Sequence, residues 1–304
     1  MTIKEFLLKI ETYEIPPDTM LDIFSNVKTN ADSILIKQKT PQIHFSDPIE
    51  CMGNILNARA KKLADGTYQI IVYPRLIEQL RRCSWLVASY SGIFKSLTYA
   101  NIVRKKMADY LLYMWLDFIF WHEYFHIMLG HCDYVLSNEL YELPEKPLNE
   151  HELNIKRTLE AESDAFAARL SFGRLHIYKS SLDSSIGEVY KPEELYYDYA
   201  LSIFFLFGFF EALKTPEDKR EHPLPAERSI IFLSFIPEMG KHIQLTVTED
   251  ELLSYLVTAF FEYEKFMGRE KGIEKRALDS QAFFNIADAY LKEINKTRKA
   301  IWKP

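Results

Sequence analysis

Residues 111–130 constrain the fold more than any other part of the chain. The run is as long as a membrane-spanning helix, which needs about 20 mainly apolar residues, yet it carries Asp117, His122, Glu123 and His126. Four ionisable side chains in so apolar a stretch read as a helix buried in a globular core, where polar groups must find hydrogen-bond partners. Residues 199–210 form a second apolar run, too short to span a bilayer and bracketed by Asp198 and Glu211. It too reads as a buried helix, so no membrane span is expected.

Inside the first run stands Trp121-His122-Glu123-Tyr124-Phe125-His126, an H-E-x-x-H. Residues four apart share a helix face, so His122 and His126 can aim two imidazole nitrogens at one metal ion. Glu123 beside them can take a proton from water at that metal, the arrangement of a zinc hydrolase. Two histidines on an aromatic-rich helix also fit core residues bonded to neighbours, so the rest of a site must be sought. A catalytic zinc needs a third protein ligand and an open fourth position. Candidates lie in Leu159-Glu160-Ala161-Glu162-Ser163-Asp164-Ala165. Glu160 and Asp164 share a helix face, while Glu162 is turned about 200° from Glu160, so only one of the two glutamates can face a metal. Ala167, Ala168 and Ser171 continue the Glu160 stripe with small residues that allow close packing on a partner helix, which favours Glu160. Asp164, one turn on, can accept the second ring N–H of a ligand histidine and set its tautomer. A solvated helix face is the plainer account of the same carboxylates.

An H-E-x-x-H followed on a second helix by E-x-x-[SA]-D resembles the gluzincin metallopeptidases. The longer likeness is to the HtpX and CAAX-prenyl-protease family, whose first motif often continues to a Gly-His pair, here Gly130-His131. Ser163-Asp164-Ala165-Phe166-Ala167 is similar to that family's A-D-x-x-A, with Ser in place of Ala. His222-Pro223-Leu224-Pro225-Ala226-Glu227-Arg228 resembles its His-Pro followed by Arg. The resemblance implies a zincin-like core, with His122, His126 and Glu160 as zinc ligands, Glu123 as general base and Asp164 as partner of a ligand histidine. It also makes His222 a candidate for stabilising the oxyanion, which needs a donor opposite the metal. A loop histidine beside two prolines is the alternative for His222. His131 leaves the metal-facing stripe, and a capping role or a contact behind the ligands suits it better than ligation. Members of the family that work in membranes carry several spans. Soluble ImmA/IrrE-like peptidases, with E-x-x-[AS]-[ND] and then Phe-Ala, are therefore comparably similar.

Composition agrees with a soluble protein, and the zinc peptidase that the resemblance implies would take a peptide or protein substrate. Hydrophobic residues make up 48% and charged ones 26%, values of a packed globule rather than a disordered chain. The net charge of −6 provides no attraction to nucleic acid or anionic membrane. Three unpatterned cysteines and no apolar leader point to a reducing, cytoplasmic setting. The competing function class is a regulatory module that binds zinc or peptide without turnover. The glutamate between the histidines argues against it, because a module without catalysis has no use for a general base.

The expected fold is α+β and predominantly helical: a zincin-like core with a small sheet or hairpin and the H-E-x-x-H helix. Residues 1–50 read as an N-terminal helical extension and 51–304 as one catalytic domain closed by C-terminal helices, near 249–268 and 279–299. Asn57 to Leu63 and Thr67 to Tyr73 flank Asp65-Gly66, a turn dipeptide, and predict a β-hairpin. The motif helix is expected over 104–132, the second motif helix from Asn149, and an aromatic helix over 193–213. Residues 68–73 are the expected edge strand along which an extended peptide would pair, with Ile71→Pro as the test.

Overall fold

In a computed structural model, the structure describes residues 2–14, 20–37, 41–47, 55–90, 93–94, 101–137, 149–175, 192–213, 227–229, 231–232, 247–269, 285 and 292. His222 and the helix expected over 279–299 lie outside the described residues, apart from the isolated positions 285 and 292. In chain order come α1 (Ile3–Thr12), α2 (Met20–Leu35), β1 (Ile43–Phe45), β2 (Ala58–Lys62), β3 (Tyr68–Val72) and α3 (Pro74–Ala88). They are followed by α4 (Asn101–Met128), α5 (His131–Ser137), α6 (Glu150–Gly173), α7 (Pro192–Leu213) and α8 (Glu249–Phe266). The protein is predominantly helical with one three-stranded sheet, and no helix among the described residues is long and apolar enough to cross a membrane.

The hairpin forms where the turn dipeptide places it. Gly66 adopts φ +85°, and the Asp65 carboxylate accepts the backbone N–H of Thr67 at 3.0 Å. β2 and β3 pair antiparallel, with Ala60 opposite Ile70. β1 pairs parallel to the other side of β3, with His44 opposite Gln69. Strand β3 is therefore central, which corrects its expected place at an edge. Its sequence, Tyr-Gln-Ile-Ile-Val, has buried residues on both faces, as suits a strand flanked by others. β2, with two lysines, is one of the two outer strands and packs on α4 and α5.

Helix α4 runs through the middle of the core and packs against α2, α3, α6, α7 and the sheet. Trp115, Phe118 and Phe120 are fully buried along it. Its polar groups find partners: Asp117 accepts the Trp121 indole N–H at 3.1 Å and lies 3.6 Å from Arg174. The first 45 residues add Phe6, Ile10, Phe24 and Val27 to the same cluster. Helix α4 stops earlier than expected. Gly130 takes φ +73°, a conformation that ends helices, and its N–H bonds Ile127 O at 2.9 Å. The chain then restarts as α5 from His131, whose ring meets that of His126 in the last turn of α4. Helix α6 begins where its cap dictates: the Asn149 side chain accepts the Glu152 N–H while the Glu152 carboxylate accepts that of Asn149.

Candidate metal centre

Helices α4 and α6 pack against one another. Ala167, Ala168 and Ser171 of α6 are buried in the common core, and Phe125 of α4 stacks on Phe166 of α6 with ring centroids 5.1 Å apart. This close approach brings Glu160 up to the two histidines. His122 Nε2 lies 3.2 Å from one Glu160 oxygen, and His126 Nε2 lies 3.3 Å from the other. The two Nε2 atoms are 3.0 Å apart. Donors around a tetrahedral ion, with metal–donor distances of about 2.0–2.1 Å, stand about 3.3 Å from one another. The three side chains thus fit a single ion in both donor type and spacing. Among the described residues they are the group of His, Cys, Asp or Glu that could hold a metal ion.

Both rings are held from behind. His122 Nδ1 is 2.9 Å from Asp164 Oδ1, so with Nε2 directed at the ion the Nδ1–H donates to the carboxylate. Asp164, 1% exposed, also accepts two hydrogen bonds from Arg228, at 2.6 Å each to its two oxygens. The Arg228 guanidinium lies 4.6 Å from the Phe207 ring centroid on α7, fixing it from the other side. His126 Nδ1 is 3.1 Å from His131 Nδ1, and His131 Nε2 is 2.9 Å from Glu162 Oε2. Glu162 thus faces away from the ion, as the helical rotation required.

The electrostatics favour a cation. Burial would depress the His122 pKa, but hydrogen bonds to Asp164 and Glu160, together with their charges, raise it to about 10. Burial also works against the Asp164 charge, yet the Arg228 guanidinium and His122 hold its carboxyl below the ordinary range. Arg228 in turn is raised by the carboxylates of Asp164, Glu160 and Glu123, in spite of its own burial. Glu123, 7% exposed, sits one residue beyond His122 on α4 within this negative field.

The structure brings together His122, His126, Glu160 and Asp164 as their spacing anticipated, with Glu123 alongside. Two partners were not assigned from the sequence. Arg228 was noted only as part of a motif, and the charge it neutralises lies 64 residues away. The Glu162 contact with His131 depends on the turn at Gly130. Comparison with protein-family models, curated proteins and solved structures finds no match, so the site stands on its own geometry.

Proposed function

We propose that the chain is a zinc-dependent peptidase with a gluzincin-like centre, in which His122, His126 and Glu160 hold the ion. The observation that carries this reading is a three-donor set with a buried glutamate next to it on the same helix. Three protein donors leave a fourth position, the mark of a catalytic rather than a structural zinc site. The side chains of His126 and Glu160 are 14% and 17% exposed while that of Asp164 is 1% exposed, so the donors keep some contact with solvent that the aspartate behind them lacks. When bound, zinc supplies a Lewis acid that polarises a carbonyl and lowers the pKa of water to about 7. Glu123 takes the proton of the attacking water and returns it to the leaving amine. Asp164 holds the His122 ring, and Arg228 keeps Asp164 ionised and in place.

Elemental analysis of the purified protein is expected to find about one zinc per chain. Incubation with a denatured protein should yield cleavage that a chelator stops and zinc restores. Stoichiometric zinc without cleavage would point to a binding module instead. The hydrogen bonds and charges of Asp164 and Glu160 favour a protonated His122 when no metal is bound, so zinc uptake should expel a proton. Zinc affinity should therefore rise with pH, roughly tenfold per unit between about pH 6 and 8. An affinity independent of pH in that window would mean that His122 is neutral in the metal-free protein.

The extended substrate pairs with β2 rather than β3. In the β2–β3 ladder Leu63 N–H bonds Thr67 O and Tyr73 N–H bonds Asn57 O, so the odd-numbered residues of β2 face β3 and Ala60 N–H points outward. Ala60→Pro removes that outward donor and leaves the ladder intact, whereas Ile71→Pro would break the ladder itself. Ala60→Pro should raise KM for peptides several-fold with zinc content unchanged. An unaltered KM would rule out β2 as the docking edge.

A further inference from the structure

We infer that Glu162 and His131 form a relay that positions the metal ligand His126, in series, as Asp164 positions His122 directly. The inference rests on the metal centre described above and goes beyond it by naming two positioning residues and the place of each proton. If His126 offers Nε2 to an ion, its proton is on Nδ1, and the neighbour 3.1 Å from Nδ1 is His131 Nδ1. That nitrogen must then be the acceptor, so the His131 proton is on Nε2, where Glu162 Oε2 receives it at 2.9 Å. Each ring nitrogen in the chain Glu162–His131–His126 thus has one role. The Ser163 hydroxyl lies 3.3 Å from His131 Nδ1, further than His126 Nδ1 at 3.1 Å.

The burial agrees with a positioning role. The His131 side chain is 1% exposed and that of Glu162 13%, so the ring is enclosed while the carboxylate closes the relay near the surface. The rings of His126 and His131 meet edge-on, 5.1 Å between centroids and 71° between planes, which directs one nitrogen at the other instead of stacking the faces. The turn at Gly130 makes this possible, since a continuous α4 would carry residue 131 off the ligand face. The carboxylate charge reaches His126 through a polarised ring and strengthens its Nε2 as a donor.

Zinc dissociation constants and the visible spectrum of the cobalt-substituted protein test the relay without reference to hydrolysis. Glu162→Leu and His131→Phe should each weaken zinc binding by about 10- to 100-fold and shift the cobalt bands. Glu162→Gln, whose amide oxygen can still accept from His131 Nε2–H, should retain most of the affinity. Because the relay acts in series, the double variant should bind zinc no more weakly than His131→Phe alone. Should His131→Phe fail to fold, the Glu162→Leu and Glu162→Gln pair decides the matter, Glu162 being the more exposed of the two. Wild-type affinity in Glu162→Leu, equal losses in Glu162→Leu and Glu162→Gln, or additive losses in the double variant would each overturn the relay while leaving the metal centre standing. Absence of zinc binding by the wild type would overturn both.

Discussion

Glu123→Gln is expected to keep the metal content of the wild type and to lose at least about a hundredfold in turnover of a denatured protein, up to about ten-thousandfold. Gln has nearly the shape and hydrogen-bonding reach of Glu, so a buried site accepts it, but it cannot take a proton from water. The candidate ligands His122, His126 and Glu160 are untouched, and the paired measurements of metal content and cleavage separate chemistry from binding. Metal content should not fall, because Glu123 is not among the donors. Cleavage at the wild-type rate would remove Glu123 as general base and with it the proposed mechanism. Loss of metal and activity together would instead mean that Glu123 supports the ion.

Arg228→Met is expected to give the largest loss of stability, about 3–5 kcal/mol, because it takes from the buried Asp164 carboxylate its guanidinium partner and leaves it with His122 alone. Asp164 is 1% exposed and receives two Arg228 hydrogen bonds at 2.6 Å, and its remaining partner, His122 Nδ1 at 2.9 Å, replaces neither of them. Met keeps much of the volume beside Phe207, which limits the effect to charge and hydrogen bonding. Adding Asp164→Asn to Arg228→Met should recover part of the stability, since the stranded charge is gone and the Asn amide oxygen can still accept from His122 Nδ1–H, while zinc affinity stays below the wild type for want of the carboxylate charge. Denaturant midpoints for the two variants, with zinc affinity measured alongside, check both statements. A midpoint for Arg228→Met within error of the wild type would show that the pair is not a structural requirement. The sign with pH follows from Asp164: its folded-state pKa is depressed, so the pair stabilises above the ordinary carboxylate range and is lost as pH falls through the depressed value.

The parts of the fold and site legible in the sequence are those set by local periodicity. The spacing of His122 and His126, the equivalent spacing of Glu160 and Asp164, and the opposed rotation of Glu162 all follow from the turn of a helix and appear as expected. Asn149 caps α6 and Asp65-Gly66 turns the hairpin for reasons contained within a few residues. Other features were not visible. β1 is three residues long, below the length at which alternation is distinguishable, and only its pairing with β3 makes it a strand. The end of α4 at Gly130 interrupts a run that is apolar and helical on either side. One glycine in such a run does not by itself announce a helix end.

The sequence alone determined which side chains could share a face: two imidazoles on one helix and a carboxylate with its partner aspartate on another. It could not determine that the two faces meet, because each helix is specified by contacts three and four residues apart and carries no record of its neighbour. The tertiary structure decided that meeting by packing α4 against α6, which sets Glu160 3.2 and 3.3 Å from the two rings. It also decided that β3 is central and that Arg228 neutralises Asp164. Both depend on pairings between distant segments, for which burial and charge balance in the folded protein supply the only selection. The residues of the H-E-x-x-H were legible from the start, but the groups that hold and tune them were assembled only by packing.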